Sequence, residues 1–212
     1  MTSNFPLRRV WASLAALAVL TGCDATASAP AATDTAIAQD AANADAAGDA
    51  EGIDTAVVTP VEPEEYVATL EDFDCVKNGT KVGRFYVANR VSPELQAKAV
   101  EVAQQETPGG KFPVGTMLRL FPLEAFVKRG KGFEETDGWE VFLLNRDKKG
   151  ALYIEQRGGL EVKNSAGSCF GCHAAAKDYD SICGTTHGCV PLGVSDDFIT
   201  ALQDVDPACG GK

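Results

Sequence analysis

Six consecutive residues concentrate more chemistry than any other stretch of the chain: Ser168-Cys169-Phe170-Gly171-Cys172-His173. Two thiols three positions apart, with an imidazole directly after the second, fit the covalent attachment of haem c. Each thiol adds to one vinyl group of the porphyrin, and the adjoining histidine is placed beneath the iron. Cys169 and Cys172 are then the attachment points and His173 the proximal ligand, with one haem per chain. A thioredoxin-like dithiol is the other use of such a pair, but it needs a neighbouring βαβ pattern that the flanking sequence lacks.

The remaining cysteines agree with that assignment. The chain has seven in 212 residues, an odd number that calls for a use beyond pairing. Arg8 and Arg9 precede an apolar run over residues 10–20, which has the charge and length of a secretory signal and is short for a membrane span. Leu20-Thr21-Gly22-Cys23 then resembles a lipobox, so residues 1–22 read as a lipoprotein signal peptide and Cys23 as the diacylated start of the mature chain. With Cys23, Cys169 and Cys172 so used, Cys75, Cys183, Cys189 and Cys209 are left, an even set suited to two disulfides in an oxidising compartment. Three connectivities are open. A zinc site from Cys169, Cys172, Cys183 and Cys189 is the rival, disfavoured by the loose 183 to 189 spacing and by export. The expected location is outside the cytoplasm, lipid-anchored at the bacterial inner or outer membrane and facing the periplasm or surface.

Residues 24–65 are mostly Ala, Asp, Thr, Pro and Glu, with ten acids and no Lys or Arg. Such a segment lacks the apolar surface to fold and reads as a hydrated acidic tether over residues 23–65. The net charge of −11 lies mostly there, leaving about −3 for the domain over residues 66–212 once Arg8 and Arg9 are also set aside. No basic patch suggests a nucleic-acid partner.

The elements that must position the motif are those of an α+β domain. Residues 81–87, 114–121, 139–145 and 151–156 have strand composition and length, and Asp147-Lys148-Lys149-Gly150 turns the last pair into a hairpin. Ser92-Pro93-Glu94 starts a helix that runs to about Gln105, with Leu95, Ala99 and Val102 as its buried stripe. The expected fold is mainly antiparallel β-sheet with one or two helices and a C-terminal haem-binding helix.

On the other side of the iron the candidates are few. Beyond the initiator, Met117 is the single methionine, and strand alternation puts Leu118 and Leu120 on one face and Met117, Arg119 and Phe121 on the other. His187, between Cys183 and Cys189, is either a distal ligand or a surface loop residue, the second being preferred. An open sixth position makes the haem a ligand binder rather than a dedicated electron carrier.

Four further segments point to a family: Phe112-Pro113-Val114-Gly115-Thr116, then Val127-Lys128-Arg129-Gly130-Lys131-Gly132-Phe133, then Asp137-Gly138-Trp139-Glu140, and, after the haem motif, Ala176-Lys177-Asp178-Tyr179-Asp180. Their order is similar to the cytochrome P-460 and cytochrome c-prime-beta family over roughly residues 80–182. The resemblance implies a mostly antiparallel β-sheet haem protein, often a homodimer. Hydroxylamine-oxidising members join a lysine to the porphyrin at the position matched here by Leu120, and carry an acid shortly before the first haem cysteine, where this chain has Gly167 and Ser168. Both departures count against that activity. Leu118 and Leu120 over the iron instead resemble the c-prime-beta branch, whose apolar pockets bind nitric oxide or carbon monoxide, with Arg84 or Arg119 as possible hydrogen-bond donors. Residues 182–192 match nothing in the family pattern.

The expected protein is therefore a lipid-anchored monohaem cytochrome that binds a small diatomic gas or serves redox chemistry. The alternatives are an electron carrier with His187 or Met117 as sixth ligand, meeting a redox partner protein, and a hydroxylamine- or nitric-oxide-oxidising enzyme.

Overall fold

The computed structural model describes residues 60–184, 187–189 and 191–210. The expected signal peptide, Cys23 and most of the expected tether lie outside the described residues.

The framework is a six-stranded antiparallel sheet in which spatial order equals chain order: β1 (Thr80–Val82), β2 (Phe85–Asn89), β3 (Thr116–Arg119), β4 (Glu124–Lys128), β5 (Trp139–Arg146) and β6 (Leu152–Gly158). With its helices this is an α+β arrangement. The single strand expected over residues 81–87 is a hairpin, because Gly83, at φ 54°, lets the chain reverse between Val82 and its partner Phe85. The β5–β6 hairpin turns where expected: Asp147 Oδ1 accepts from the amides of Lys149 and Ala151, at 2.8 and 2.9 Å.

Helix α1 (Pro93–Gln105) crosses between β2 and β3. Ser92 Oγ accepts from Leu95 N, Pro93 occupies the first turn, and the helix stops at Glu106 in a left-handed conformation. Its buried stripe is Leu95, Ala99 and Ala103, with Val102 half-buried beside it rather than in it.

Alternation along the strands divides the apolar residues between two faces. On one face Val87, Leu118 and Trp139 pack with Ala99 and Ala103 of α1 and with Phe112, Phe170 and Ile182. On the other, Met117, Ala125, Val127, Phe142 and Leu144 pack under Ala68 and Phe73. The first face receives the Cys-X-X-Cys-His segment. Behind β6, a short hairpin of β7 (Lys163–Asn164) and β8 (Gly167–Ser168) leads into α2 (Cys169–His173), and a later helix α3 (Asp196–Asp204) follows.

Helix α3 and strand β4 were not among the expected elements. Ser195 caps α3 by accepting from Phe198 N, and buried Gln203 donates to the carbonyls of Arg84 (2.8 Å) and Leu120 (2.9 Å), clasping two turns of the sheet. The disulfides are Cys75–Cys209, which joins the start of the domain to its end, and Cys183–Cys189.

Residues 60–65, assigned with the tether, lie against the domain. Arg129 pairs with Glu65, Lys131 Nζ with Glu64 (2.5 Å) and Lys98 Nζ with Glu62 (3.3 Å). The approach is close at Gly130, where a Cβ would stand 1.9 Å from the Glu64 carbonyl oxygen. The acids that composition reads as solvated meet cations that the sheet presents. Among the described residues no helix is long and apolar enough to cross a membrane.

Candidate functional site

Helix α2 is only five residues long, so its placement rests on its ends. Ser168 Oγ accepts from Gly171 N at 3.1 Å, and the Cys169 amide donates to Val162 O at 3.1 Å. Phe170, turned inward, is buried among the residues of the first face. Cys169 and Cys172 therefore emerge one helical turn apart, both half-buried and both as thiols, beside His173. Burial pushes the Cys169 thiol pKa up, and the Glu124 carboxylate adds to the effect. A thiol held in its neutral form is a poor exchange nucleophile, and the sheet around it is antiparallel, so a thioredoxin-like role has neither its chemistry nor its βαβ frame.

His173 is the best-defined group of the site. Its ring stacks on Phe126, centroids 4.2 Å apart and planes 22° apart, and Phe126 in turn meets Trp139 edge-on. Burial pushes the imidazole pKa down to about 4, against a smaller upward pull from the Ser181 carbonyl, so the ring is neutral at pH 7. Nδ1 lies 3.0 Å from the Ser181 carbonyl oxygen. A carbonyl can only accept, so Nδ1 carries the proton and Nε2 keeps the lone pair that a metal requires.

The chain reaches that carbonyl by folding back sharply. A 3-10 segment, Ala174–Tyr179, ends at Asp180 and Ser181, both left-handed at φ 56° and 58°. Two successive non-glycine residues in that region cost roughly 1–2 kcal/mol each. Both are fully buried, and Asp180 is tightly held. Lys128 Nζ donates to its two carboxylate oxygens at 2.8 and 2.7 Å, Lys111 Nζ to one at 2.9 Å, and the Phe112 amide to the other at 3.0 Å. The Trp139 indole N–H donates to the Asp180 carbonyl at 2.6 Å. Apart from Lys111, these residues lie within the segments that suggested a family, but no local pattern connects them with one another. Their convergence on the loop behind His173 depends on the register of β4 and β5, in which Lys128 pairs with Trp139.

The expected distal residues separate. Leu118 shares the first-face cluster with Phe170 and pairs across strands with Phe126. Leu120 lies beyond the end of β3, half-buried, with its carbonyl held by Gln203. Arg84 Nε pairs with Asp196 at 2.8 Å, far along the chain from the motif. Arg119 is buried on the opposite face, donating to the Asp74 and Pro122 carbonyls, with Asp206 4.0 Å away. Met117 is likewise on the opposite face, against Phe73 and Phe142, so the sheet stands between it and His173. As a sixth ligand it is excluded by strand alternation.

His187 is not the surface residue preferred from sequence. Its ring stacks on Tyr179 at 3.5 Å, Nε2 lies 3.2 Å from the Ile182 carbonyl, and Nδ1 is 3.4 Å from Glu106. Nε2 faces the Ile182 carbonyl, whereas Nδ1 makes no hydrogen bond. The Cys183–Cys189 bridge packs on the motif itself, with Cys189 Sγ 3.0 Å from the Cys172 carbonyl and ligand atoms of His173, Cys183 and Cys189 all within 4.8 Å of one another. With Cys183 and Cys189 joined to each other, the four-thiolate zinc arrangement is not formed.

Two thiols and a neutral imidazole whose Nε2 is the unprotonated nitrogen, on one turn of helix, form a donor set of the chemistry haem c requires. No protein-family model, curated protein or solved structure matches the chain.

Proposed function

We propose that this protein is an exported, lipid-anchored monohaem c-type cytochrome that binds a small diatomic gas such as nitric oxide or carbon monoxide. Cys169 and Cys172 carry the thioether bonds on α2, and His173 supplies Nε2 as the proximal ligand. The observation that carries the reading is the hydrogen bond from His173 Nδ1 to the Ser181 carbonyl, which selects the metal-binding tautomer on the same helical turn as both thiols. A bound haem would supply an iron able to take an uncharged ligand. The protein's part is to orient the imidazole, keep it neutral and surround it with carbon.

Gas binding is favoured over electron transfer by where the spare ligands lie. Met117 is across the sheet, and His187 is stacked on Tyr179 with Nε2 at the Ile182 carbonyl. Leu118, Phe126 and Phe170 make the surroundings of His173 apolar. The likeness to the cytochrome P-460 and c-prime-beta family points the same way, since Leu120 cannot form the lysine link to porphyrin that hydroxylamine oxidation requires. The two disulfides accord with an oxidising compartment, on the periplasmic or surface side of a bacterial membrane.

Intact mass and an absorption spectrum of the reduced protein, with and without carbon monoxide, test the proposal together. The expected result is one haem joined through Cys169 and Cys172 and a high-spin ferrous spectrum that shifts with the gas. A low-spin ferrous spectrum indifferent to carbon monoxide and nitric oxide would refute gas binding, and a mass without haem would refute the attachment itself.

A further inference from the structure

The loop that meets His173 is itself held from two sides, and neither support touches the imidazole. Ser181 Oγ donates to Asp137 Oδ2, and the Asp137 carbonyl accepts from Lys128 Nζ at 2.6 Å. The same Lys128 nitrogen bridges both oxygens of Asp180, the residue before Ser181. Lys128 is thus the common node of a buried chain that runs through Asp137 and Asp180 to the one carbonyl bonded to Nδ1.

We infer that Asp180 and Asp137, tied together by Lys128, are positioning residues for the axial imidazole. They hold the Ser181 carbonyl on His173 Nδ1, and so determine which ring nitrogen is offered to iron and how strongly it donates. The inference rests on the haem reading for its consequence at the metal, but its geometric part concerns this chain alone. Without the network the loop keeps fewer bonds, chiefly from the Trp139 indole to the Asp180 carbonyl, to offset two left-handed conformations; it relaxes and the carbonyl leaves the ring. A weaker hydrogen bond at Nδ1 makes the imidazole a poorer electron donor, which favours ferrous iron and raises the midpoint potential.

The test uses the full mature chain, prepared both with haem maturation and without it. Lys128→Met/Asp180→Asn removes both buried charges together, leaving no lone ion in the core, and asparagine accepts the left-handed backbone of residue 180. Asp137→Ala is a second, milder variant at a half-buried position, and Asp137→Asn keeps an acceptor for the Ser181 hydroxyl. In the haem-free chain, nitrogen-15 shifts of the His173 ring report the tautomer. The Nδ1–H form should dominate in the wild type, and its ratio to the other form should fall about fivefold in the double variant and in Asp137→Ala, the order expected for loss of one hydrogen bond. Asp137→Asn should restore it. In the haem-loaded protein the same fivefold change corresponds to a potential about 40 mV more positive, at 59 mV per tenfold for one electron. Folded variants that keep the wild-type tautomer ratio and potential overturn the inference. Failure to attach haem would overturn the function proposed above while the tautomer measurement still decides the positioning role.

Discussion

Removing the Cys75–Cys209 bridge should be the most destabilising disulfide change available to this domain. The bridge spans 134 residues, whereas Cys183–Cys189 spans six. Loop-closure entropy at 25 °C then gives about 5 kcal/mol for the long bridge and about 2 kcal/mol for the short one. The first figure matches the lower end of a typical domain's whole stability, about 5–15 kcal/mol. The polar contacts at the same junction include a hydrogen bond from the Val76 amide to Asp206 (2.9 Å), an Arg119–Asp206 approach at 4.0 Å and an exposed Lys77–Asp204 pair, too little to replace the cross-link. Urea titration of Cys75→Ala/Cys209→Ala and of Cys183→Ala/Cys189→Ala, followed through the fluorescence of buried Trp139, measures both. The expected outcome is a large fall in midpoint and a steeper denaturant dependence for the first pair, because the uncrosslinked unfolded chain exposes more surface. Equal losses, or a larger loss from the short bridge, would refute the loop-closure argument.

Three other outcomes follow from the site and its surroundings. In the haem-free chain His173 titrates near pH 4 when folded and near 6.5 when unfolded, so between those values the unfolded state binds more protons. Stability should therefore be full above about pH 6.5 and fall by about 3 kcal/mol as pH drops to 4, a dependence that His173→Gln removes in denaturation measured against pH. Glu140, with a side chain 3% exposed, is shared by Arg129 and Arg157. Glu140→Gln removes the buried carboxylate shared by Arg129 and Arg157 while Glu65 still pairs with Arg129, and should cost about 2 kcal/mol by thermal unfolding. Gly130→Ala should displace residues 60–65, making them sensitive to limited proteolysis while the sheet keeps its melting temperature; protection equal to wild type would contradict the contact at Glu64.

What could be read from the sequence was whatever depended on short range. Ser92-Pro93-Glu94 located α1 because a cap and an N1 proline act within four residues. Two-residue alternation correctly separated Leu118 from Met117 and Arg119. The same alternation failed at Leu120, because β3 ends one residue earlier and the chain has begun to turn. Strand β4 was missed because Glu124 and Lys128 at its ends disguise a run whose middle is Ala125, Phe126 and Val127, and Lys128 is buried only because Asp180 returns to meet it. The disulfide pairing, the clasp of Gln203 and the docking of Glu62, Glu64 and Glu65 all join distant segments, and no local pattern encodes them. Phe126, which stacks on the candidate ligand, carried no signal beyond being apolar.

The Lys128–Asp180 pair also governs how this domain can come apart. The lysine belongs to the sheet and its counter-charge to the segment that carries the Cys-X-X-Cys-His motif, 52 residues later. Lifting that segment away would part Lys128 from Asp180 and lose their charge-assisted hydrogen bonds, about 1.5–3 kcal/mol each. Partial opening at the motif is thereby penalised. Hydrogen exchange at the amides of α2 should proceed with the protection of the central strands, as one cooperative unit with them, despite the helix being a single turn long.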